Sequence, residues 1–188
     1  MGITPETLSH SVDEDAVLAE AQKKSSLSAS DMVQILARAK ARDACARQPV
    51  TGLVLGGDSL FEISGQIFGK PHTADRARER WDLHRGATGR LYSGHSLLHC
   101  VDGQILGEAE HVSSTSVTFA ADLDDQEIDA YIATGEPLSV AGAFTIDGRA
   151  AGFIESISGD PYTVVGVSVS TVRSLVRQLG FSFTDLWK

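Results

Sequence analysis

The sequence predicts an α/β protein with a mixed central sheet and helices packed on its faces. Apolar residues recur at strand spacing in some segments and at helical spacing in others, and the two kinds intermix along the chain. Several strand pairs are separated by only two turn residues, which indicates hairpins rather than a purely parallel doubly wound sheet. With 188 residues and no internal repeat, the chain is sized for one domain, residues 1–188, with a single core.

Composition excludes several classes of protein. The formal charge of −9 argues against a nucleic-acid binder, which needs a basic face to displace counterions. No apolar run is long enough to span a bilayer, and the N-terminal residues lack the pattern of a signal peptide. Cys45 and Cys100 have no paired spacing, so we expect two reduced thiols in a cytoplasmic protein, with a disulfide between them as the alternative.

The first third of the chain contains two helical segments and a buried strand. A short helical run covers residues 16–21, and Ser28 or Ser30 caps a longer helix that reaches about Arg47. The apolar residues that follow predict a buried strand over residues 51–57.

A hairpin and a helix come next. Residues 60–68 alternate in polarity around Ser64-Gly65, which predicts two short strands and a tight turn. Thr73 caps a helix that runs through His84 and ends at Gly86.

The middle of the chain is rich in strand signals. Residues 91–101 and 104–109 are apolar runs joined by Asp102-Gly103, one of the strongest hairpin signals in a sequence. Residues 113–119 alternate as a half-buried strand does, and we expect a separate strand there.

The last third returns to helices. Residues 124–134 predict a short helix ended by Gly135, and Asp147-Gly148 predicts a further hairpin or bulge. Ser170 caps a final amphipathic helix that Gly180 terminates.

Two segments carry candidate chemistry. The run Leu53-Val-Leu-Gly-Gly-Asp58-Ser59 predicts a buried strand that delivers a carboxylate to its carboxyl end, where open α/β sheets bind ligands. Gly69-Lys70-Pro71 presents a cation on a nearby turn, and Pro71 restricts Lys70 to extended geometry. An acid for a metal and a cation for phosphate are typical of phosphate-ester chemistry. The alternative is a strand end and a hairpin whose charges face water.

These segments resemble motifs of the Maf family of nucleoside triphosphate pyrophosphatases. Gly57-Asp58-Ser59 is similar to the family's Ala-Asp-Thr, and Gly69-Lys70-Pro71 matches its Gly-Lys-Pro. The other similar segments follow in family order: Leu36–Ala41 before these two, then Tyr131–Pro137, Ala141–Phe144, Gly159 and Val164–Gly166.

The resemblance implies a fold and an activity. The fold is the elongated, two-lobed α/β fold shared with inosine triphosphate pyrophosphatases, often assembled as a homodimer. The activity is hydrolysis of standard, non-standard or modified nucleoside triphosphates to a monophosphate and pyrophosphate, with a divalent cation, Mg²⁺ or Mn²⁺, as cofactor.

The resemblance also assigns roles near the phosphates. Asp58 stands where the family has its catalytic acid, which acts as a metal ligand or as proton acceptor for the attacking water. Glu14 aligns with a glutamate near the metal, and its alternative is a solvated loop acid. Lys40 and Lys70 align with phosphate-binding lysines, against the alternative of two solvent-exposed lysines.

Ser59 and Asp147 occupy the positions where the family reads the nucleobase. Many members that prefer thymidine or uridine triphosphate carry glutamine at the second position, and a carboxylate, unlike an amide, can only accept hydrogen bonds. Asp147 therefore predicts a different base preference, against the alternative of an ordinary Asp-Gly turn residue. Glu136 matches a family motif, or simply caps its own turn.

One family segment has no counterpart. Members open with a strand ending in Ser-x-Ser-Pro-Arg-Arg, whereas the similarity here begins at the later segment Gly2-Ile3-Thr4-Pro5. We therefore expect the strand and its arginine loop to be missing, through a start assigned too late, a shortened chain or true divergence. The last case leaves an alternative function: a catalytically impaired, nucleotide-binding regulator of septum formation in cell division.

Overall fold

The structure is a computed structural model that describes residues 2–187. Within that range six α-helices flank one sheet. The helices are α1 (Glu14–Gln22), α2 (Ala29–Arg47), α3 (Ala74–His84), α4 (Asp125–Ala133), α5 (Pro161–Val165) and α6 (Val169–Gln178). The strands are β1 (Gly52–Ile63), β2 (Gln66–Phe68), β3 (Thr88–Val101), β4 (Gln104–Phe119) and β5 (Ile154–Ser158).

The five strands form a sheet in the order β2-β1-β3-β4-β5. The predicted class, α/β with a central sheet and flanking helices, is confirmed, and the strands are antiparallel rather than mixed in direction. Hairpins account for two of the four pairs, β1–β2 and β3–β4, because a two-residue turn can only join antiparallel neighbours.

Two of the predicted hairpin turns are present. Ser64 and Gly65 have φ angles of 51° and 75°, and Asp102 and Gly103 have 49° and 77°. Two consecutive positive φ values match the right-handed twist of the flanking strands. The first turn sets the register in which Phe61 lies opposite Phe68.

Contacts divide the described chain into two compact units. The first contains the residues up to Asp58, Ser93–Ser113 and the residues from Val167 onward; the second contains Ser59–Tyr92 and Ser114–Gly166. The second unit has a core built around Trp81, Phe61 and Phe119. The first has two smaller core clusters, which include Leu98 and Leu175 respectively.

Two strands, β1 and β4, each join segments that the sequence predicted as separate strands. β1 does not end at Gly57 but continues to Ile63, so Asp58 lies within a strand and not at its carboxyl end. The two glycines do not break the strand, since a glycine can also mark a close approach of another backbone. Residues 104–109 and 113–119 are likewise parts of one strand, β4.

The hairpin or bulge predicted at Asp147-Gly148 is wrong. The chain forms short 3₁₀ turns over Ala141–Ala143 and Arg149–Phe153, and β5 begins only at Ile154. Gly142 and Ala143 both have positive φ, 71° and 67°, which an extended strand cannot accommodate.

Side-chain caps begin the long helices. Ser28 rather than Ser30 caps α2, in a reciprocal capping box with Asp31. Thr73 caps α3 as predicted, whereas α6 is capped by Ser168 and not by Ser170.

The expectation of two reduced thiols is also wrong. Cys45 on α2 and Cys100 on β3 are joined in a disulfide, with Cα atoms 7.2 Å apart. Both are buried, in a cluster where α2 covers the sheet. Spacing in the sequence does not report this proximity, because the two cysteines lie 55 residues apart.

Among residues 2–187, no helix has both the length and the hydropathy that crossing a membrane requires.

Candidate active site

A glycine lets α2 lie directly against β1 in the first unit. A Cβ atom at Gly56 would stand 2.3 Å from the carbonyl oxygen of Ala37 and 2.7 Å from the amide nitrogen of Ala41. No larger residue fits at this point of contact. Since alternate residues of a strand face the same side, Asp58 points toward α2 as Gly56 does.

Lys40 meets Asp58 just beyond that contact. Lys40 Nζ donates to Asp58 Oδ1 at 2.6 Å and lies 2.7 Å from Glu14 Oε1. The side chains of Lys40 and Asp58 are only 15% and 12% exposed, whereas that of Glu14 is 46% exposed. One ammonium group is therefore shared by two carboxylates in a largely buried position.

The carboxylates keep Lys40 charged. Burial alone would lower the pKa of Lys40, but hydrogen bonds to Asp58 and Glu14 and the charges of both groups raise it above its usual range. The ammonium remains protonated at neutral pH and can bind an anion such as phosphate.

Glu14 reaches this position from the start of α1. Asp13 caps the helix by accepting from the amide of Ala16, and Glu14 is the first helical residue. A carboxylate in the first turn is also favoured by the helix dipole. The structure thus brings together three of the predicted site residues: Lys40, Asp58 and Glu14.

The donor set of this cluster suits Mg²⁺ or Mn²⁺. No group of three or more His, Cys, Asp or Glu side chains able to hold a metal occurs among residues 2–187. Magnesium, however, is typically held by one or two carboxylates and completed by water and substrate phosphates. Asp58 and Glu14 supply two such carboxylates.

Lys70 belongs to the second unit, on the exposed loop between β2 and α3. The loop backbone is tied down on both sides of the lysine. The amide of Gly142 donates to Gly69 O at 3.1 Å, and the amide of His72 donates to Leu138 O at 3.0 Å.

Ser59 and Asp147 also lie in the second unit. Ser59 follows Asp58 on β1, so it faces the opposite side of the strand, and it is partly buried. Asp147 is exposed and accepts a hydrogen bond from Thr145 Oγ1.

Glu136 holds the turn that follows Asp147. Its carboxylate accepts from the amide of Arg149 at 2.9 Å and lies 3.3 Å from Arg149 Nη1. A Cβ atom at Gly148 would lie 2.4 Å from Glu136 Oε1, so a larger residue there would displace the Glu136 carboxylate. Within the second unit, the Glu136 carboxylate thus braces a neighbouring segment, and no side chain caps the 3₁₀ turn that Glu136 begins.

One side chain that sequence reasoning did not single out contacts the Lys70 loop. Arg80 Nη1 donates to Gly69 O at 2.6 Å. Nothing in the sequence distinguishes Arg80 from Arg76 and Arg78 on the same helix. Only the structure shows that Arg80 contacts this loop.

Comparison with known proteins gives a consistent result. The family model described as Maf-like protein matches residues 1–179. A nucleoside triphosphate pyrophosphatase of Leifsonia xyli is 51% identical over 99% of this chain and 88% of its own length. Proteins of the same name from Salinispora tropica and Streptomyces coelicolor are 46% and 42% identical, each over 99% of this chain, and over 79% and 85% of their own lengths.

Proposed function

Since this chain belongs to the Maf-like protein family, we propose that it hydrolyses nucleoside triphosphates to nucleoside monophosphates and pyrophosphate. Water adds to the α-phosphorus, the bond from that phosphorus to the bridging oxygen breaks, and pyrophosphate leaves. The observation that carries the proposal is the Lys40–Asp58–Glu14 cluster, with contacts of 2.6 and 2.7 Å. It combines a phosphate-binding cation with two carboxylates.

Asp58 has the central role. Its carboxylate accepts the proton of the attacking water or holds the metal ion, and both roles need an ionised, oriented oxygen. The hydrogen bond from Lys40 supplies the orientation. Because both side chains are largely shielded from solvent, this contact is screened less than a surface ion pair.

The lysines bind the substrate. Lys40 offers its ammonium to a phosphate oxygen when the substrate competes with the carboxylates, and Lys70 provides a second cation from an exposed loop. A net charge of −9 repels polyanions in general, so binding depends on cations held at defined positions.

Glu14 and Asp58 would hold the divalent cation, Mg²⁺ or Mn²⁺. When bound, the ion neutralises phosphate charge and lowers the pKa of a coordinated water. Lys40 meanwhile keeps the two carboxylates from repelling each other.

In this proposal, Ser59 and Asp147 recognise the base of the nucleotide. The substrates include deoxynucleotides and non-standard or modified nucleotides. Asp147 offers only acceptors to the base. Rates across a panel of nucleoside triphosphates, for the wild type and Asp147→Gln, test this assignment. An unchanged profile in the variant contradicts it.

We also propose that the chain acts as a single domain, in the cytoplasm, as a homodimer, and without binding nucleic acid. The acidic charge supports the last point. Light scattering coupled to gel filtration measures the subunit number directly.

A pyrophosphate-release assay with Mg²⁺ or Mn²⁺ tests the activity. We expect Asp58→Asn to lower kcat by about 10²–10⁴-fold, the usual contribution of a general base. The asparagine oxygen still accepts from Lys40, so the fold should persist. Asp122→Asn, on an exposed residue of the second unit, is the matched control and should match the wild type.

Equal rates in the wild type and Asp58→Asn would remove Asp58 from the chemistry. A wild type that binds nucleotides but hydrolyses none would instead favour the non-catalytic regulator of cell division.

A further inference from the structure

The loop Gly69-Lys70-Pro71 is positioned by a side chain from the following helix. Arg80 lies on α3, and its guanidinium spans two consecutive carbonyls of this loop. Nη1 donates to Gly69 O at 2.6 Å, and Nη2 donates to Lys70 O at 3.4 Å. The peptide that joins Gly69 to Lys70 is therefore flanked by two donors of one rigid, planar group.

The guanidinium is itself held in place. Arg80 Cζ lies 5.0 Å from the centre of the Phe68 ring, in a cation–π contact. Phe68 is the last residue of β2 and lies opposite Phe61 in the sheet. Arg80 thus connects the end of the hairpin to α3, and the Lys70 loop lies between these two elements.

Two further constraints make the backbone at Lys70 stiff. Pro71 limits Lys70 to extended conformations. Gly69 O also accepts from the amide of Gly142 at 3.1 Å, so one carbonyl receives two donors. Removing Arg80 would leave Gly69 O with one of these donors and Lys70 O without its contact to Nη2.

We propose that Arg80 is a positioning residue that orients Lys70 toward the triphosphate. This inference rests on the proposed phosphate-binding role of Lys70. Arg80 acts on the backbone that carries the lysine and not on the substrate, since its donors are directed at Gly69 O and Lys70 O.

The test is a double-mutant cycle between positions 80 and 70, with kcat and KM measured for nucleoside triphosphate hydrolysis. We expect Arg80→Met to lower kcat/KM by about 10- to 100-fold, the scale of a small misplacement of a binding group. Methionine keeps an apolar side chain over Phe68 and removes both donors. In the Lys70→Met background, the same change should have little further effect, because groups that act as a unit are not additive.

Two variants accompany the cycle. Arg80→Lys has one ammonium in place of the planar guanidinium, so it can contact only part of the loop backbone. Its kcat/KM should lie between that of Arg80→Met and that of the wild type. Arg76→Met, on an exposed residue one turn earlier in α3, removes the same charge and should retain wild-type kcat/KM. Melting temperatures of all variants show that each one folds.

The outcomes separate this inference from the function it rests on. If Lys70→Met hydrolyses as fast as the wild type, the roles of Lys70 and Arg80 both fail, while the proposed hydrolysis stands. If Lys70→Met is impaired but Arg80→Met is not, or if Arg80→Met costs the same in both backgrounds, only the positioning role of Arg80 is overturned.

Discussion

At the scale of single residues, Lys40 shows how environment defines a role. A lysine on a helix is usually solvated, but here its ammonium is largely buried and hydrogen-bonded to Asp58, with Glu14 also within 2.7 Å. The positive charge costs less to bury because two negative charges accompany it. Substrate phosphates can bind the same ammonium. In the absence of substrate, the ion pairs therefore keep Lys40 charged and in position for an anionic ligand.

His84 is a buried titratable residue in the second unit. Its ring stacks on Phe119 with centroids 4.5 Å apart, and Nε2 donates to Gly142 O at 2.7 Å. Among the described residues, Nδ1 has no hydrogen-bond partner. Burial is the main reason why the pKa of His84 is lowered to about 4. The hydrogen bond to Gly142 O raises this pKa, and the nearby charge of Arg80 lowers it further. The ring is therefore neutral in the folded protein at pH 7.

The pKa of His84 predicts a pH dependence of stability. Between its unfolded pKa of 6.5 and its folded pKa of about 4, the unfolded state binds more protons. The free energy of unfolding should therefore fall as the pH drops from about 6.5 toward 4, by up to about 3 kcal/mol. Urea titrations at pH 7, 6, 5 and 4 measure this loss.

His84→Gln provides the comparison, since its amide can still donate to Gly142 O and does not titrate. Its stability should change less over the same range of pH. Parallel pH profiles of the two proteins would show that His84 contributes nothing to the acid sensitivity.

At the scale of secondary-structure elements, the contact between α2 and β1 determines the geometry of the cluster. Gly56 faces the α2 backbone, and Gly94 on β3 does the same, since a Cβ atom there would lie 2.3 Å from Val33 O. Two glycines on neighbouring strands thus allow one helix to approach the sheet closely. That approach brings Lys40 within hydrogen-bond distance of Asp58.

Gly56→Ala tests this contact. The added methyl group meets backbone atoms of Ala37 and Ala41, which cannot rotate away, so α2 must move. We expect a loss of stability at or above the upper end of the about 1–3 kcal/mol typical of overpacking. Hydrolysis should also fall, because Lys40 moves with α2. Chemical denaturation and the pyrophosphate assay measure the two effects.

Gly57→Ala is the matched control for stability. A Cβ atom there finds Gly94 O at 3.7 Å, an ordinary van der Waals distance, so the free energy of unfolding should change little. Equal destabilisation by the two alanines would mean that loss of a strand glycine, and not the contact with α2, is responsible.

The elements also show what sequence reasoning can and cannot reach. The turns at Ser64-Gly65 and Asp102-Gly103 and the cap at Thr73 were predictable because each depends on a few adjacent residues. The continuity of β1 through Gly56 was not, because its cause is a helix about 15–20 residues away in the chain. Periodicity likewise could not place Glu14, Lys40 and Asp58 side by side. Only the family resemblance linked them before the structure did.

At the scale of the whole molecule, each core cluster lies within one compact unit. Leu98 is fully buried in the first unit, and Trp81 is fully buried in the second. Three strands contribute residues to both units: β1 passes from the first to the second at Asp58, and β3 and β4 are divided near Ser93 and Ser113. Neither unit contains these strands complete, which supports the proposal of a single domain.

The single-domain proposal predicts one cooperative unfolding transition. The chain has two tryptophans, so in a Trp187→Phe background the fluorescence reports Trp81, and hence the second unit, alone. Leu98→Ala leaves a cavity in the first unit and should lower the free energy of unfolding reported by Trp81 by about 2–5 kcal/mol. Leu106→Ala, at a position 62% exposed in the same unit, makes the same chemical change and should shift the transition far less. The contrary outcome is a Trp81 transition that Leu98→Ala does not shift, together with a loss of circular dichroism at lower denaturant concentration. In that case the two units unfold separately and the chain has two domains.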